Sequence, residues 1–98
     1  MPFDLGSGGS AFLFTMKKRI GFIGIVIEDR QKCAEKVNHL LSEFGQIIIA
    51  RTGIPYKDRN CCVITLVVDA TTDEVGELTG KIGSIPGTTV KSALSKES

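Results

Sequence analysis

The chain has 98 residues, of which 42% are hydrophobic and 23% are charged, and its formal net charge is +1. This length fits one small domain with a packed core, and the balanced charge excludes a strong field that would attract nucleic acid or an anionic membrane. No apolar stretch is long enough to span a bilayer, and the three cysteines, an odd number, exclude a complete set of internal disulfides.

The first eighteen residues differ in composition from the rest of the chain. They include the linker-like GSGGS at positions 6–10, and Met16 offers a second start. They lack the basic region of a secretory signal, so we expect a cytoplasmic protein whose thiols stay reduced. We interpret residues 1–18 as an N-terminal extension, residues 19–94 as one domain and residues 95–98 as a polar tail.

The first predicted strand is RIGFIGIVIE, residues 19–28, which is short, β-branched and almost entirely apolar. Such a run is typical of a strand that is buried on both faces. The next segment predicts a helix, because Asp29 is a favourable N-cap and apolar residues recur at helical spacing. These apolar residues are Cys33, Val37, Leu40, Leu41 and Phe44.

Two further strands are predicted at QIIIARTG, residues 46–53, and at CCVITLVVD, residues 61–69. A second helix begins with a capping box, in which Thr71 is followed three residues later by Glu74. The apolar stripe of this helix consists of Val75, Leu78, Ile82 and Ile85.

The last part of the chain predicts a turn and a fourth strand. Gly76 and Gly80 could allow the second helix to pack closely on the sheet. Pro86 and Gly87 predict a turn, and TTVKSAL, residues 88–94, predicts the fourth strand. The order β-α-β-β-α-β indicates a ferredoxin-like α+β fold, in which two helices cover one face of a four-stranded antiparallel sheet.

The first and third strands are apolar on both faces, although two helices can cover only one. We assign to the helix side the bulkier, purely apolar set: Ile23, Ile25, Ile27, Cys62, Ile64, Leu66 and Val68. The other side, the helix-free face, is then too apolar to stand in water. We expect a partner subunit to cover it in a homodimer or tetramer, through an interface of Phe22, Val26, Val63, Thr65 and Val67. The alternative is that AFLF, residues 11–14, covers this face, but four apolar residues cannot cover a whole sheet.

The sequence favours neither a metal site nor a catalytic centre. Cys61 and Cys62 are adjacent in a strand, so their thiols point to opposite faces, and His39 is the only histidine. A structural zinc site needs four N or S ligands, and no nucleophile elbow or phosphate-binding loop is recognisable. We therefore expect no metal, no cofactor and no catalytic residue. Direct nucleic-acid binding is not expected either, because the third strand lacks the aromatic residues on which RNA-recognition modules stack bases.

The segment RTGIPYKDRN, residues 51–60, has two compatible interpretations. Its Gly, Pro, Asp and Asn residues are turn formers, so it could be an ordinary hairpin connection. It is longer than the two residues that a minimal hairpin needs, and it presents Arg51, Tyr56, Lys57 and Arg59. A loop with an aromatic residue and several cations also suits contact with a partner or an anionic ligand.

Three segments resemble the small proteins named iron-only hydrogenase system regulators: RIGFIGIVIEDR, FGQIIIARTGIPYKDR and DATTDEVGELTGKIGSIPGTTVKSAL. The likeness covers roughly residues 17–93, and its GIPY segment is among the most specific parts. This family is similar to ACT-like small-molecule sensor domains and to the C-terminal domain of nickel-responsive repressors, so the resemblance implies the ACT-like form of the fold. The nickel site of those repressors is not implied, because His39 stands alone.

The resemblance implies a non-enzymatic, oligomeric regulator. The segment before the first strand is too short and too glycine-rich for a ribbon-helix-helix, so transcription regulation would act through another protein. An effector is expected at a surface formed by Arg51, Gly53, Ile54, Pro55 and Tyr56, together with Glu28, Asp29 and Arg30 at the strand-to-helix junction. The alternative is a structural or assembly adaptor that uses the same surface for a protein partner without a small ligand, and a small enzyme comes third.

Overall fold

The computed structural model describes residues 17–28 and 30–96, without the side chains of residues 30–33. Its helices and strands, in chain order, are β1 (Arg19–Ile27), α1 (Arg30–Glu43), β2 (Ile48–Tyr56), β3 (Cys61–Ala70), α2 (Thr72–Gly83) and β4 (Thr88–Leu94). This order confirms the predicted βαββαβ plan. The expectations for residues 1–16, for Asp29 as an N-cap and for the Cys33 side chain lie outside the described residues.

The four strands form one antiparallel sheet in the order β2-β3-β1-β4. The two apolar strands, β3 and β1, are therefore central, as the ferredoxin-like plan predicts. β2 and β4 are the edges. Directly opposite residues on neighbouring antiparallel strands are neighbours on the same face, so the register shows which residues of the four strands share each face.

The core lies between the sheet and the two helices. The sheet contributes the fully buried side chains of Ile23, Ile25, Ile27, Leu66 and Val68, and Ile64 is nearly as buried. The helices contribute Val37, Leu41, Val75, Leu78 and Ile82. Cys62, the remaining member of the predicted set, is half-buried and packs against this core. The predicted helix side of the central strands is therefore confirmed.

The predicted capping box at the start of α2 is present. The Glu74 backbone N–H donates to Thr71 Oγ1 at 3.1 Å, and the Thr71 backbone N–H donates to Glu74 Oε1 at 2.9 Å. Thr71 is buried, so its hydroxyl could not be satisfied by bulk water instead. The cap thus fixes the point at which the chain leaves β3 and enters α2.

Removing the cap is expected to destabilise the fold. Thr71→Ala should lower the free energy of unfolding by about 0.5–2 kcal/mol, because the first turn of α2 loses a hydrogen-bond acceptor. Urea unfolding followed by circular dichroism measures the change. Thr79→Ala is the matched control: the Thr79 hydroxyl donates to the Val75 carbonyl within the helix, and replacing it with Ala should be neutral or slightly stabilising. Equal losses in both variants would contradict the capping role.

The predicted role of Gly76 and Gly80 in helix–sheet packing is wrong. Both residues are exposed, and a Cβ atom at either position would meet nothing within 4 Å. The close approach lies at Gly21 in β1, where a Cβ would be 2.5 Å from Leu94 Cδ2 and 3.0 Å from the Ala93 carbonyl oxygen. A larger residue at Gly21 would therefore push β4 away from β1.

The second strand starts two residues later and ends three residues later than predicted, and this corrects the position of the hairpin loop. β2 continues to Tyr56, and both Pro55 and Tyr56 pair with β3, so GIPY belongs to a strand. The connection consists of residues 57–60, a 3-10 turn that ends with Asn60 at φ 51°. Asn tolerates this left-handed conformation. Pro55 is tolerated in β2 because an edge strand leaves some N–H groups unpaired.

Candidate functional site

The predicted binding residues of β2 point to both faces of the sheet. Arg51, Gly53 and Pro55 lie opposite β3 residues that face the helices, whereas Ile54 and Tyr56 lie opposite β3 residues of the helix-free face. This alternation follows directly from the extended backbone. The five residues therefore cannot line one pocket. They could have done so in the predicted loop, where side chains need not alternate between two faces.

One end of the sheet brings part of this set close to the β1–α1 junction. At that end a continuous row crosses the four strands: Pro55, Cys62, Ile27 and Thr88. Pro55 and Ile27 are separated by two strand spacings, or about 10 Å. Glu28 follows Ile27 directly, and its N–H donates to the Gly87 carbonyl at 2.8 Å. This end, called the hairpin end below, therefore carries Pro55, Tyr56 and Glu28, with Pro55 on the helix side of the sheet and Tyr56 on the helix-free face.

Thr88, at the same end, has a hydroxyl without a partner. Its Oγ1 atom is buried and makes no hydrogen bond with the described residues. Thr88 lies opposite Ile27, so it is on the helix side of the sheet. Leaving a buried hydroxyl unsatisfied costs about 1–3 kcal/mol, and a hydrogen-bonding ligand would relieve that cost. The sequence does not single out Thr88. It is the first of two adjacent threonines at the start of a strand, and nothing in this pattern indicates that its side chain is buried.

Arg51 does not join the hairpin end. Its guanidinium Nη2 donates to Asn38 Oδ1 of α1, which holds the side chain over the helix layer. Arg51 lies four residues before Pro55 in β2, a distance of about 13 Å along the strand. The structure therefore separates Arg51 from the rest of the predicted set. Of the junction residues, Asp29 and the Arg30 side chain lie outside the described residues.

The helix-free face carries two apolar rows with a more polar row between them. The first apolar row is Ala50, Val67, Phe22 and Ala93, and the second is Ile54, Val63, Val26 and Thr89. The middle row is Thr52, Thr65, Gly24 and Lys91. All five predicted interface residues therefore lie on this face. Phe22 is 55% exposed, Ile54 53% and Tyr56 48%.

An open groove of about 620 Å³ lies between the two helices. It is lined by Glu35, Lys36, His39, Leu40, Lys81, Ser84 and Ile85. His39 Nε2 is 3.3 Å from Glu43 Oε2, and Lys81 Nζ is 3.4 Å from Glu77 Oε2. These pairs are exposed and contribute little to stability. His39 is thus a surface residue, as predicted, and none of the predicted binding residues lines this groove.

Cys61 and Cys62, the first two residues of β3, are free thiols on opposite faces of the sheet. Cys62 lies opposite Ile27 on the helix side, and Cys61 lies opposite Tyr56 on the helix-free face. Within residues 17–28 and 30–96, no group of three or more His, Cys, Asp or Glu side chains is arranged to hold a metal ion.

The sequence matches one protein-family profile, "TM1266-like: Iron-only hydrogenase system regulator, putative", over residues 19–92. The matched region runs from the start of β1 into β4 and includes both helices. The chain belongs to this family. The resemblance drawn from the sequence is confirmed. No curated protein matched the chain.

Two solved structures show what this chain is similar to in fold. The TM1266 protein of Thermotoga maritima is 40% identical, with a TM-score of 0.79, and the alignment covers 82% of this chain and 100% of that chain. The ACT domain from the GTP pyrophosphokinase of Chlorobium tepidum is 23% identical, with a TM-score of 0.67, over 79% of this chain and 100% of that domain. The second likeness shows the fold alone, and it confirms the predicted ACT-like architecture.

Within residues 17–28 and 30–96 there is no helix that could span a membrane. Neither α1 nor α2 combines the length and hydrophobicity needed to cross a bilayer. The buried apolar residues of these helices, among them Val37, Leu41 and Leu78, pack in the core instead.

Proposed function

We propose that this iron-only hydrogenase system regulator is a non-enzymatic cytoplasmic sensor domain. It forms a homodimer through the helix-free face and binds a small-molecule effector at the hairpin end, where that face meets the β1–α1 junction. The observation that carries the proposal is the solvent exposure of large apolar side chains on a sheet face that neither α1 nor α2 covers. Any effect on transcription passes through a partner protein.

The helix-free face supports self-association. An antiparallel sheet that keeps one face in water normally alternates apolar and polar residues, but Phe22 and Ile54 are each more than half exposed. Strands about 4.8 Å apart and seven to ten residues long give roughly 500 Å² per face. Two such faces would bury about 1,000 Å², which is the lower limit for a specific interface. A second copy supplies a matching apolar surface.

The hairpin end supports effector binding at the edge of that interface. Tyr56, 48% exposed, lies on the helix-free face, and the junction after Ile27 lies at the same end. The unpartnered Thr88 hydroxyl offers a hydrogen bond to a ligand that reaches the helix side. A ligand that binds the dimer more tightly than the monomer would shift the population towards the dimer. This coupling makes the domain a sensor.

The adaptor alternative is favoured by the β2 edge. Ile49 is 58% exposed and Ile54 53% exposed on a strand that pairs with one neighbour among the described strands. Exposed sheet edges accept strands from partner proteins. An adaptor of this kind would need no small molecule.

Thermal unfolding separates the two functions. Freshly purified protein is compared with protein that has been unfolded in guanidinium chloride, dialysed and refolded. An effector present at a hundred times its Kd stabilises the native state by about 2.7 kcal/mol, so its removal should lower the Tm by roughly 10 °C or more. Adding back the low-molecular-weight fraction from the denatured sample should restore the Tm. Equal Tm values before and after refolding would favour the adaptor.

Tyr56→Ala is expected to remove this ligand-dependent difference without unfolding the domain. Tyr56 is half exposed at the end of an edge strand, where residues contribute little to the core, whereas exposed tyrosines are frequent binding hot spots. The variant should keep its circular dichroism spectrum and show the same Tm before and after refolding. Ile49→Ala, at the other end of β2, is the control and should retain the wild-type difference. Loss of secondary structure in Tyr56→Ala would show instead that Tyr56 is a core residue.

A further inference from the structure

The helix-free face combines one prominent aromatic side chain with one recess on the same strand. Phe22 is 55% exposed. At Gly24 a Cβ atom would meet nothing within 4 Å, so the Phe22 ring of the same protomer does not cover this position. We propose that Phe22 of each protomer inserts into the recess at the partner's Gly24. This inference rests on the proposed homodimer and specifies how its two copies are aligned.

One symmetry axis satisfies both contacts. Phe22 and Gly24 point to the same face, two residues and about 7 Å apart along β1. A two-fold axis that lies between the sheets and crosses β1 at Ile23, close to perpendicular to the strand, places each Phe22 over the partner's Gly24. Such an isologous contact needs a self-complementary patch, and a protrusion beside a recess is one. A second copy is therefore the occupant that fits this face.

The walls of the recess suit an aromatic ring. Gly24 lies opposite Thr65 of β3 and Lys91 of β4, and directly opposite side chains in a sheet are about 4.5–5.5 Å apart. The Thr65 methyl group and the Lys91 aliphatic stem can line the ring, because lysine buries its stem while its charge stays in water. The Lys91 ammonium group can also lie over the ring face as a cation–π partner. The pairing thus gives the polar middle row a role in an otherwise apolar interface.

The quality of this packing decides whether the dimer forms. A total buried area of about 1,000 Å² is marginal for a specific complex, so the face depends on a few well-packed anchors. Aromatic residues in pockets near the interface centre are the usual anchors. Filling the recess or removing the ring should each weaken the dimer, and exchanging the two residues should restore it.

Sedimentation velocity of the full chain tests the pairing with four proteins: wild type, Phe22→Gly, Gly24→Phe and the double variant. Phe22→Gly leaves two recesses opposite each other, and Gly24→Phe leaves two rings opposite each other. Each single variant should raise the dimer Kd by about tenfold or more. The double variant has the wild-type composition and places each ring over the partner's new glycine, so its Kd should return to within about threefold of wild type.

The outcomes separate this alignment from the homodimer itself. Val63→Asp, which places a charge elsewhere on the helix-free face, serves as the reference. If this variant is monomeric but the double variant does not recover the wild-type Kd, the Phe22–Gly24 pairing is wrong and the helix-free face remains the interface. A monomeric wild type would overturn both. Circular dichroism checks that each protein is folded. If Gly24→Phe does not fold, Gly24→Leu and the pair Phe22→Gly with Gly24→Leu give the same comparison, and an unaffected Gly24→Leu dimer would equally overturn the pairing.

Discussion

Val63→Asp is expected to convert the homodimer into a folded monomer. Val63 lies on β3 between Ile54 and Val26 in one of the apolar rows of the helix-free face. In the dimer the new carboxylate would be buried without a partner. An uncompensated buried charge costs about 3–5 kcal/mol, so even one would weaken the dimer by about a hundredfold or more. Light scattering at micromolar concentration should report a monomer, and circular dichroism should report retained secondary structure.

Val63→Thr is the matched control for this experiment. Threonine has nearly the shape of valine and carries no charge, so its neutral hydroxyl costs far less in the buried interface than an unpartnered carboxylate does. The control should stay dimeric, or weaken only slightly. A Val63→Asp protein with the oligomeric mass of the wild type would show that the helix-free face is not the interface.

Leu66→Ala is expected to lower the free energy of unfolding by a large amount for a single core substitution. Leu66 is fully buried in the central strand β3, with Ile23 directly opposite it on β1. Truncating such a side chain removes apolar burial and leaves a cavity, at a cost of about 2–5 kcal/mol. In a domain of this size the Tm should fall by roughly 10–25 °C. Urea unfolding at fixed protein concentration measures the change.

Val67→Ala, one residue further along β3, separates the two faces of the sheet. Val67 lies opposite Phe22 on the helix-free face and is half-buried. Its truncation should cost much less than Leu66→Ala in a monomeric background, because no helix packs on it. To hold the oligomeric state constant, both substitutions are made in the Val63→Asp protein. Equal losses of unfolding free energy would contradict the assignment of these two residues to different faces.

The fold could be predicted because local and tertiary signals agree. Apolar runs of strand length alternated with helical stripes, and the capping box at Thr71 marked the start of α2. The helix side of β1 and β3 could be chosen because Ile23, Ile25 and Leu66 belong to the bulkier of two apolar sets. Burial then followed from the period of two along each strand.

The end of β2 could not be predicted from local chemistry. Gly53 and Pro55 favour turns when they are considered alone, but β2 is an edge strand with a free side, where a missing N–H is tolerated. A similar limit applies to Gly76 and Gly80, which proved to lie on the solvent side of α2. For β2 the position of the strand in the sheet decided the outcome, and for the two glycines the face of α2 on which they lie decided it.

The candidate site was predicted only in outline. Periodicity placed Phe22, Val63 and Val67 on one face, because the alternation of side chains can be determined from each strand by itself. The proximity of Tyr56 to Glu28 depends on the pairing of three strands, and the contact of Arg51 with Asn38 depends on helix position. The recess at Gly24 depends on the rotamers around it, which the sequence does not specify.

Native mass spectrometry of the freshly purified full chain tests whether it is a self-associating, effector-binding domain. Gentle ionisation preserves both subunit contacts and bound small molecules, and denaturing ionisation of the same sample gives the mass of the bare chain. We expect a dimer, or an assembly of dimers, that carries additional small-molecule mass and releases it on denaturation. A single chain with no added mass would show that the protein neither self-associates nor holds an effector.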